Sequence, residues 1–290
     1  MIDGVSVQLN EATDSSVRVT LVGAEGVDLT GAWELYGPKC EYARTLASTF
    51  RGRALDDGNV QFLVTEPCYW SPAMPFLYEA RRSEGDGQTH SFGLRQLISH
   101  GRNLRLGGER VVLRGAACRS LDEDAAKRAH AAESALFLTS ADERELAAAS
   151  RLGTLVLLPA NEFERDLATL LAEQSWQPAA AALVLYREQL HAALVSRLPR
   201  CGILFGQRFD SRAWDDSNNI VPGTDFIVAM LEEGEIPPEW MSACNRPVVA
   251  VRQGAAYADF RQAREACDRL QAELAPAFDL GGYFAGAVQQ

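Results

Sequence analysis

Residues 66–119 read EPCYWSPAMPFLYEARRSEGDGQTHSFGLRQLISHGRNLRLGGERVVLRGAACR, and the fold of the whole chain turns on this stretch. Trp70-Ser71-Pro72 and Pro75-Phe76-Leu77-Tyr78 mix prolines, which cannot donate to a central ladder, with aromatics suited to a packed sheet face. Together they predict a loop feeding a late strand of a β-sandwich. Phe92-Gly93-Leu94-Arg95 closes the next strand. Leu104-Arg105-Leu106 and Val111-Val112-Leu113 then flank Gly107-Gly108, and because glycine tolerates positive φ this is a hairpin signal. Arg114-Gly115 ends that strand.

On the N-terminal side, short alternating runs such as Val17-Arg18-Val19-Thr20-Leu21-Val22 and Val60-Gln61-Phe62-Leu63-Val64 are separated by Gly, Asp, Asn and Pro. That spacing predicts an all-β sandwich over residues 1–98. On the C-terminal side the pattern changes to apolar cores separated by helical stretches. The cores are 111–113, 135–138, 155–158, 183–186, 203–205, 226–230, 248–251 and 283–288. Continuous apolar strands alternating with helices imply a parallel sheet covered on its outer face, and eight units imply closure into a barrel over residues 99–290. This portion is shorter than the roughly 250 residues of a typical (β/α)8 barrel. Some units must therefore be abbreviated, and RFDSRAWDDSNN at 208–219 reads as loop. Ser140 with Glu143, and Asn161 with Glu164, have capping-box spacing. Phe260, Ala263, Cys267, Leu270 and Leu274 recur at helical spacing and predict one face lying on the barrel.

Composition narrows the function classes. The chain has 290 residues, 47% of them hydrophobic, and a formal net charge of −11. No basic run offers the footprint that a phosphate backbone requires, so nucleic acid is not an expected partner. The longest apolar runs are strand-length, and Met1-Ile2-Asp3-Gly4 lacks the pattern of a signal peptide, giving the expectation of a cytoplasmic protein with no membrane partner. Cys40, Cys68, Cys118, Cys201, Cys244 and Cys267 are widely spaced and make no zinc-like grouping with the four histidines. They read as small buried hydrophobes, and neither a metal nor a cofactor is expected.

The segments W-S-P-x-x-P-x-L-Y, F-G-x-R, L-x-L-G-G and L-R-G, in this order, resemble the passage from sandwich to barrel in glycoside hydrolase family two. This is the family of β-galactosidases, β-glucuronidases and β-mannosidases, and here they stand at residues 70–78, 92–95, 104–108 and 113–115. Gly107 replaces the family's usual asparagine. The resemblance implies an immunoglobulin-like sandwich followed by a small or degenerate TIM (β/α)8 barrel, without the family's N-terminal sugar-binding jelly roll.

It also implies where catalytic groups should stand. The family's nucleophile follows barrel strand seven in a proline-led Thr-Glu-Tyr-Gly frame, and here residues 247–255, PVVAVRQGA, put Arg252 at the glutamate position. A guanidinium cannot attack an anomeric carbon. The family's Asn-Glu acid/base pair after strand four has no counterpart, although Glu188 could occupy a displaced site. Glu188 reads equally as a helix-start residue favoured by the dipole. The histidine expected after the R-G strand falls on Arg119, and the strand-two arginine falls on Phe137.

The expectation is therefore a family-two-like protein that has lost glycosidase activity and serves as a carbohydrate-binding or interaction module. The alternatives are an active hydrolase with relocated carboxylates such as Glu188, and a structural partner of an intact glycosidase. Candidate binding residues are Arg119 and Arg252, taken to line one anion-binding mouth, with Asp210 and Trp214. An indole face with Asp215, Asp216, Asn218 and Asn219 beside it is what a pyranose site uses, and it would serve equally as packing over a shortened barrel segment.

Overall fold

The N-terminal alternating runs form two four-stranded antiparallel sheets in this computed structural model, which describes residues 1–83, 89–139, 141–159, 166–195, 201–210 and 219–289. The strands are β1 (Val5–Asn10), β2 (Ser16–Gly23), β3 (Trp33–Lys39), β4 (Ser48–Arg51), β5 (Arg53–Ala54), β6 (Val60–Thr65), β7 (Leu77–Arg82) and β8 (Thr89–Phe92). One sheet has the order β1-β2-β6-β5 and the other β4-β3-β7-β8. Because side chains alternate across a strand, Val17, Val19 and Leu21 meet Phe62 and Val64 and then Leu35, Tyr78 and Phe92 of the facing sheet in one core. Their alternates, such as Arg18 and Leu63, stay at the surface.

A small antiparallel sheet of β9 (Leu97–His100), β10 (Asn103–Leu106) and β11 (Glu109–Val111) comes next. Gly107 and Gly108, at φ +59° and +82°, make the turn between β10 and β11. Leu97 and Leu104 pack with Leu113, so this sheet closes the N-terminal end of the barrel.

Eight parallel strands then close on themselves. They are β12 (Leu113–Cys118), β13 (Ala135–Leu138), β14 (Val156–Pro159), β15 (Ala180–Leu185), β16 (Leu204–Asp210), β17 (Phe226–Leu231), β18 (Val248–Tyr257) and β19 (Gly282–Val288). The helices between them are α1 (Glu123–Ala131), α2 (Glu143–Leu152), α3 (Leu167–Gln174), α4 (Arg187–Val195), α5 (Glu239–Ala243) and α6 (Phe260–Leu274). The first core is displaced from its expected place, since β11 ends at Val111 and the barrel strand begins at Leu113. Arg208, Phe209 and Asp210, read as loop, extend β16, because Phe209 packs outward on Trp240 with ring centroids 5.6 Å apart.

The cap of α2 also differs from the Ser140–Glu143 expectation. Asp142 accepts from the Glu145 amide at 2.8 Å and Glu145 returns a carboxylate oxygen to the Asp142 amide at 2.9 Å. The same spacing occurs twice, two residues apart, and the second wins because the other oxygen of Glu145 also takes the Leu121 amide. Ser140, Asn161 and Glu164 lie outside the described residues; Asp166 caps α3. Of the six free cysteines, Cys118 and Cys267 are buried and four are half-buried. Burial pushes the Cys118 thiol up to about 11.

The motif residues of the joint have physical jobs. Trp70 is buried and its indole donates to the Ser150 carbonyl at 2.7 Å. A β-carbon on Gly93 would sit 2.6 Å from the Pro178 ring and 3.1 Å from Trp70, so only glycine lets the sandwich approach the barrel. Arg95 then reaches underneath. Its guanidinium donates to Ala180 O at 2.8 Å, Gly202 O at 2.7 Å and Pro178 O, tying the starts of β15 and β16 to the sandwich. From the other side, Trp176 donates to Val5 O at 2.7 Å and Ser175 Oγ accepts from the Val7 amide at 2.8 Å. The free edge of β1 is thereby covered by the end of α3.

Candidate functional site at the C-terminal mouth of the barrel

Strand phase decides which side chains enter the barrel. Leu113, Phe137, Leu157, Val184, Phe226, Val228, Val249 and Phe284 fill its interior, with Phe137 edge-on to Phe284 at 6.2 Å. Continuing every second residue to the C-terminal ends gives Arg119 after β12, Tyr186 after β15, Arg208 and Asp210 on β16, Glu232 after β17 and Gln253 on β18. Barrel chemistry is built at this end.

Three of these residues form a defined group. Arg208 lies over the Tyr186 ring with its guanidinium carbon 5.1 Å from the centroid, and its Nε and Nη2 both stand 2.9 Å from Asp210 Oδ1. The Arg208 side chain is 19% exposed and that of Asp210 45%, so the pair is open to solvent on the carboxylate side. The Asp210 carboxylate and the clamped guanidinium present hydrogen-bond acceptors and donors within one small area, which suits a polyol or sugar ligand. The outward side of β16 fixes the return of the chain. Buried Gln207 donates to Asn219 O at 2.8 Å and accepts from the Val221 amide at 2.8 Å, while Arg187 donates to Asn219 Oδ1 at 2.7 Å.

The residues expected from sequence are placed as follows. Asp210 is at the mouth, paired with Arg208. Arg119 is exposed just beyond β12 and in the inward phase. Glu188 is exposed in the first turn of α4, one residue past Arg187, where the helix dipole favours a carboxylate. Glu232, Glu233 and Glu235 form a loop after β17 in which Glu235 accepts from the Glu232 amide at 2.8 Å. Trp214 lies outside the described residues.

Arg252 does not line the mouth with Arg119. It follows Val248 and Ala250 in the outward phase, and donates to both carboxylate oxygens of Glu273 on α6, at 2.6 and 3.0 Å, and to Glu235 O at 2.7 Å. The hydrogen bond from Arg252 holds the Glu273 carboxyl below its ordinary value. A depressed carboxylate pKa stabilises the fold above the unfolded value and loses that contribution as pH falls through the folded one. Glu273→Gln should therefore lower stability at pH 7 by about 1 kcal/mol or less, because the pair is partly exposed. That difference should shrink in urea titrations below pH 4.

Sequence reasoning missed Tyr186 and Arg208 as site residues. The signal was available in period-two extrapolation from Leu204 and Gly206, once the strand was allowed to run through Asp210. Among the described residues no group of three or more His, Cys, Asp or Glu could hold a metal ion. A cleft of about 310 Å³ lies at the other end of the barrel, lined by Pro72, Val111, Leu113, Arg114, His130 and Leu155 among others. No described helix is long and apolar enough to cross a membrane.

No family model and no curated protein matches the sequence. Solved structures do match in fold. A β-D-glucuronidase from Dictyoglomus thermophilum superimposes with a TM-score of 0.66 at 11% identity, over 98% of this chain and 61% of its own. The β-glucuronidase of Ruminococcus gnavus gives 0.67 at 12% identity, over 97% of this chain and 60% of its own. That of Faecalibacterium prausnitzii gives 0.64 at 12%, over 97% and 58%. The chain thus spans about 60% of the length of these three structures. What it shares with these glucuronidases is the fold, an immunoglobulin-like sandwich running into an eight-stranded parallel barrel.

Proposed function

We propose that this chain is a family-two-like protein without glycosidase activity that binds carbohydrate at the C-terminal mouth of its barrel. One observation carries the reading: the part of β18 where the family's nucleophile would stand is Val251-Arg252-Gln253-Gly254, and from there to Tyr257 the strand offers no carboxylate in either phase. Retaining hydrolysis needs two carboxyl groups about 5 to 5.5 Å apart, one of them as nucleophile. With Arg252 engaged by Glu273, the nucleophile stretch of barrel strand seven is left with the Gln253 amide.

The remaining groups suit binding. Arg208 and Asp210 can address neighbouring hydroxyls, Tyr186 supplies an aromatic body beneath Arg208, and Arg119 adds a second cation. Trp214, in the segment that follows β16, is the proposed stacking surface for the apolar side of a pyranose ring. The similar structures are named β-glucuronidases, so an acidic sugar is the first ligand to try. The alternative, hydrolysis with relocated carboxylates, would rely on Glu188.

Titration calorimetry with methyl β-glucuronide, methyl β-galactoside and their β-linked disaccharides tests the binding. Loss of a charge-assisted hydrogen bond is worth about 1.5–3 kcal/mol. Arg208→Met and Asp210→Asn should each weaken the bound sugar by roughly tenfold or more, since 1.4 kcal/mol is a factor of ten. Affinity that is unchanged in both variants would move the site elsewhere. No heat with any sugar would favour an interaction module that recognises protein.

A further inference from the structure

We infer that one water molecule is built into the joint between the sandwich and the barrel, bridging Arg95 and Gln174. A cavity of about 20 Å³ lies there, lined by Val7, Gly93, Arg95, Gln174, Pro178 and Gly202 among others. That exceeds the roughly 10–15 Å³ a single water requires and excludes larger ligands. Two side chains lining it hold unused hydrogen-bonding atoms. Arg95 is 8% exposed and spends its Nη groups on three carbonyls, leaving Nε–H with no partner among the described residues. Gln174 is 6% exposed, and its Oε1 likewise has no partner among the described residues.

One of these atoms is a donor and the other an acceptor, and a buried polar group that stays unpaired is costly. A water that accepts from Arg95 Nε–H and donates to Gln174 Oε1 satisfies both at once. It would complete the polar side of the joint, where Gln174 ends α3 and Arg95 follows the last sandwich strand. The apolar side is already closed by Trp176 and Val5.

A crystal structure of the whole chain at about 1.6 Å decides the matter, together with those of Gln174→Met and Gln174→Glu. The wild type should show a solvent peak within hydrogen-bond distance of both Arg95 Nε and Gln174 Oε1. The peak should persist in Gln174→Glu and vanish in Gln174→Met, with Arg95 still on its three carbonyls. An empty cavity, a direct bond from Arg95 Nε to Gln174 Oε1, or a peak that survives unchanged in Gln174→Met would overturn the inference. If the methionine variant does not fold, the wild-type density alone supports or refutes it.

Discussion

Arg95→Met is expected to lower the free energy of unfolding by about 3–5 kcal/mol, because it removes three charge-assisted hydrogen bonds and strands their acceptors. The guanidinium carries three hydrogen bonds to main-chain carbonyls that belong to the starts of two barrel strands. Methionine fills much of the volume but leaves all three carbonyls without a donor, at about 1–3 kcal/mol for each one that stays buried and unpaired. Burial pulls the guanidinium down to about 10, so it remains charged at neutral pH and its bonds are charge-assisted. Arg95→Lys should rescue little, since one ammonium on a flexible stem cannot satisfy three carbonyls arranged around a planar fork. Urea unfolding at pH 7 gives the result. A loss under about 1 kcal/mol would mean that Trp70, Trp176 and Gly93 hold the sandwich to the barrel without it.

Gly115→Ala should be at least as damaging, for a steric reason. The new β-carbon would lie 2.6 Å from the Ala135 carbonyl carbon, closer still to its oxygen, and 2.8 Å from the Phe284 ring. The obstacle is main chain of the neighbouring strand, which cannot rotate away as a flexible side chain could. Overpacking in a core costs about 1–3 kcal/mol, occasionally more, and the fixed obstacle puts this site at or above the upper end. Expression in the soluble fraction and the thermal midpoint measure it. Gly107→Ala is the control, because its β-carbon would meet nothing within 4 Å among the described residues and the cost reduces to that of φ +59°. Equal midpoints for the two variants would contradict the steric account.

These residues belong to motifs that the sequence displays openly, and the physical reasons for them explain why the joint was readable. W-S-P, F-G-x-R and L-R-G mark places where an indole, a missing side chain or a guanidinium has no substitute. The barrel strands were readable for a similar reason: 135–138 and 226–230 are apolar on both faces because one face meets the barrel interior and the other a helix or loop. Side-chain direction at strand ends was not readable. Whether Arg252 faces the mouth depends on the phase set by Val249 and Val251 inside the barrel, and an alignment of letters carries no phase. Arg208 stayed hidden because a charged residue followed by Phe-Asp looks like the start of a loop. Its place in β16 depends on the Phe209–Trp240 contact, which joins residues far apart in the chain.

The central claim is that a glycosidase fold persists here without its nucleophile, and hydrolysis is its most direct test. The substrates are nitrophenyl β-glucuronide, β-galactoside, β-mannoside and β-glucoside at high enzyme concentration, with wild type compared to Glu188→Gln and Asp210→Asn. The account predicts release of nitrophenol no faster than the buffer blank for all three proteins. Turnover by the wild type that disappears in either variant would contradict it and assign that carboxylate a catalytic role.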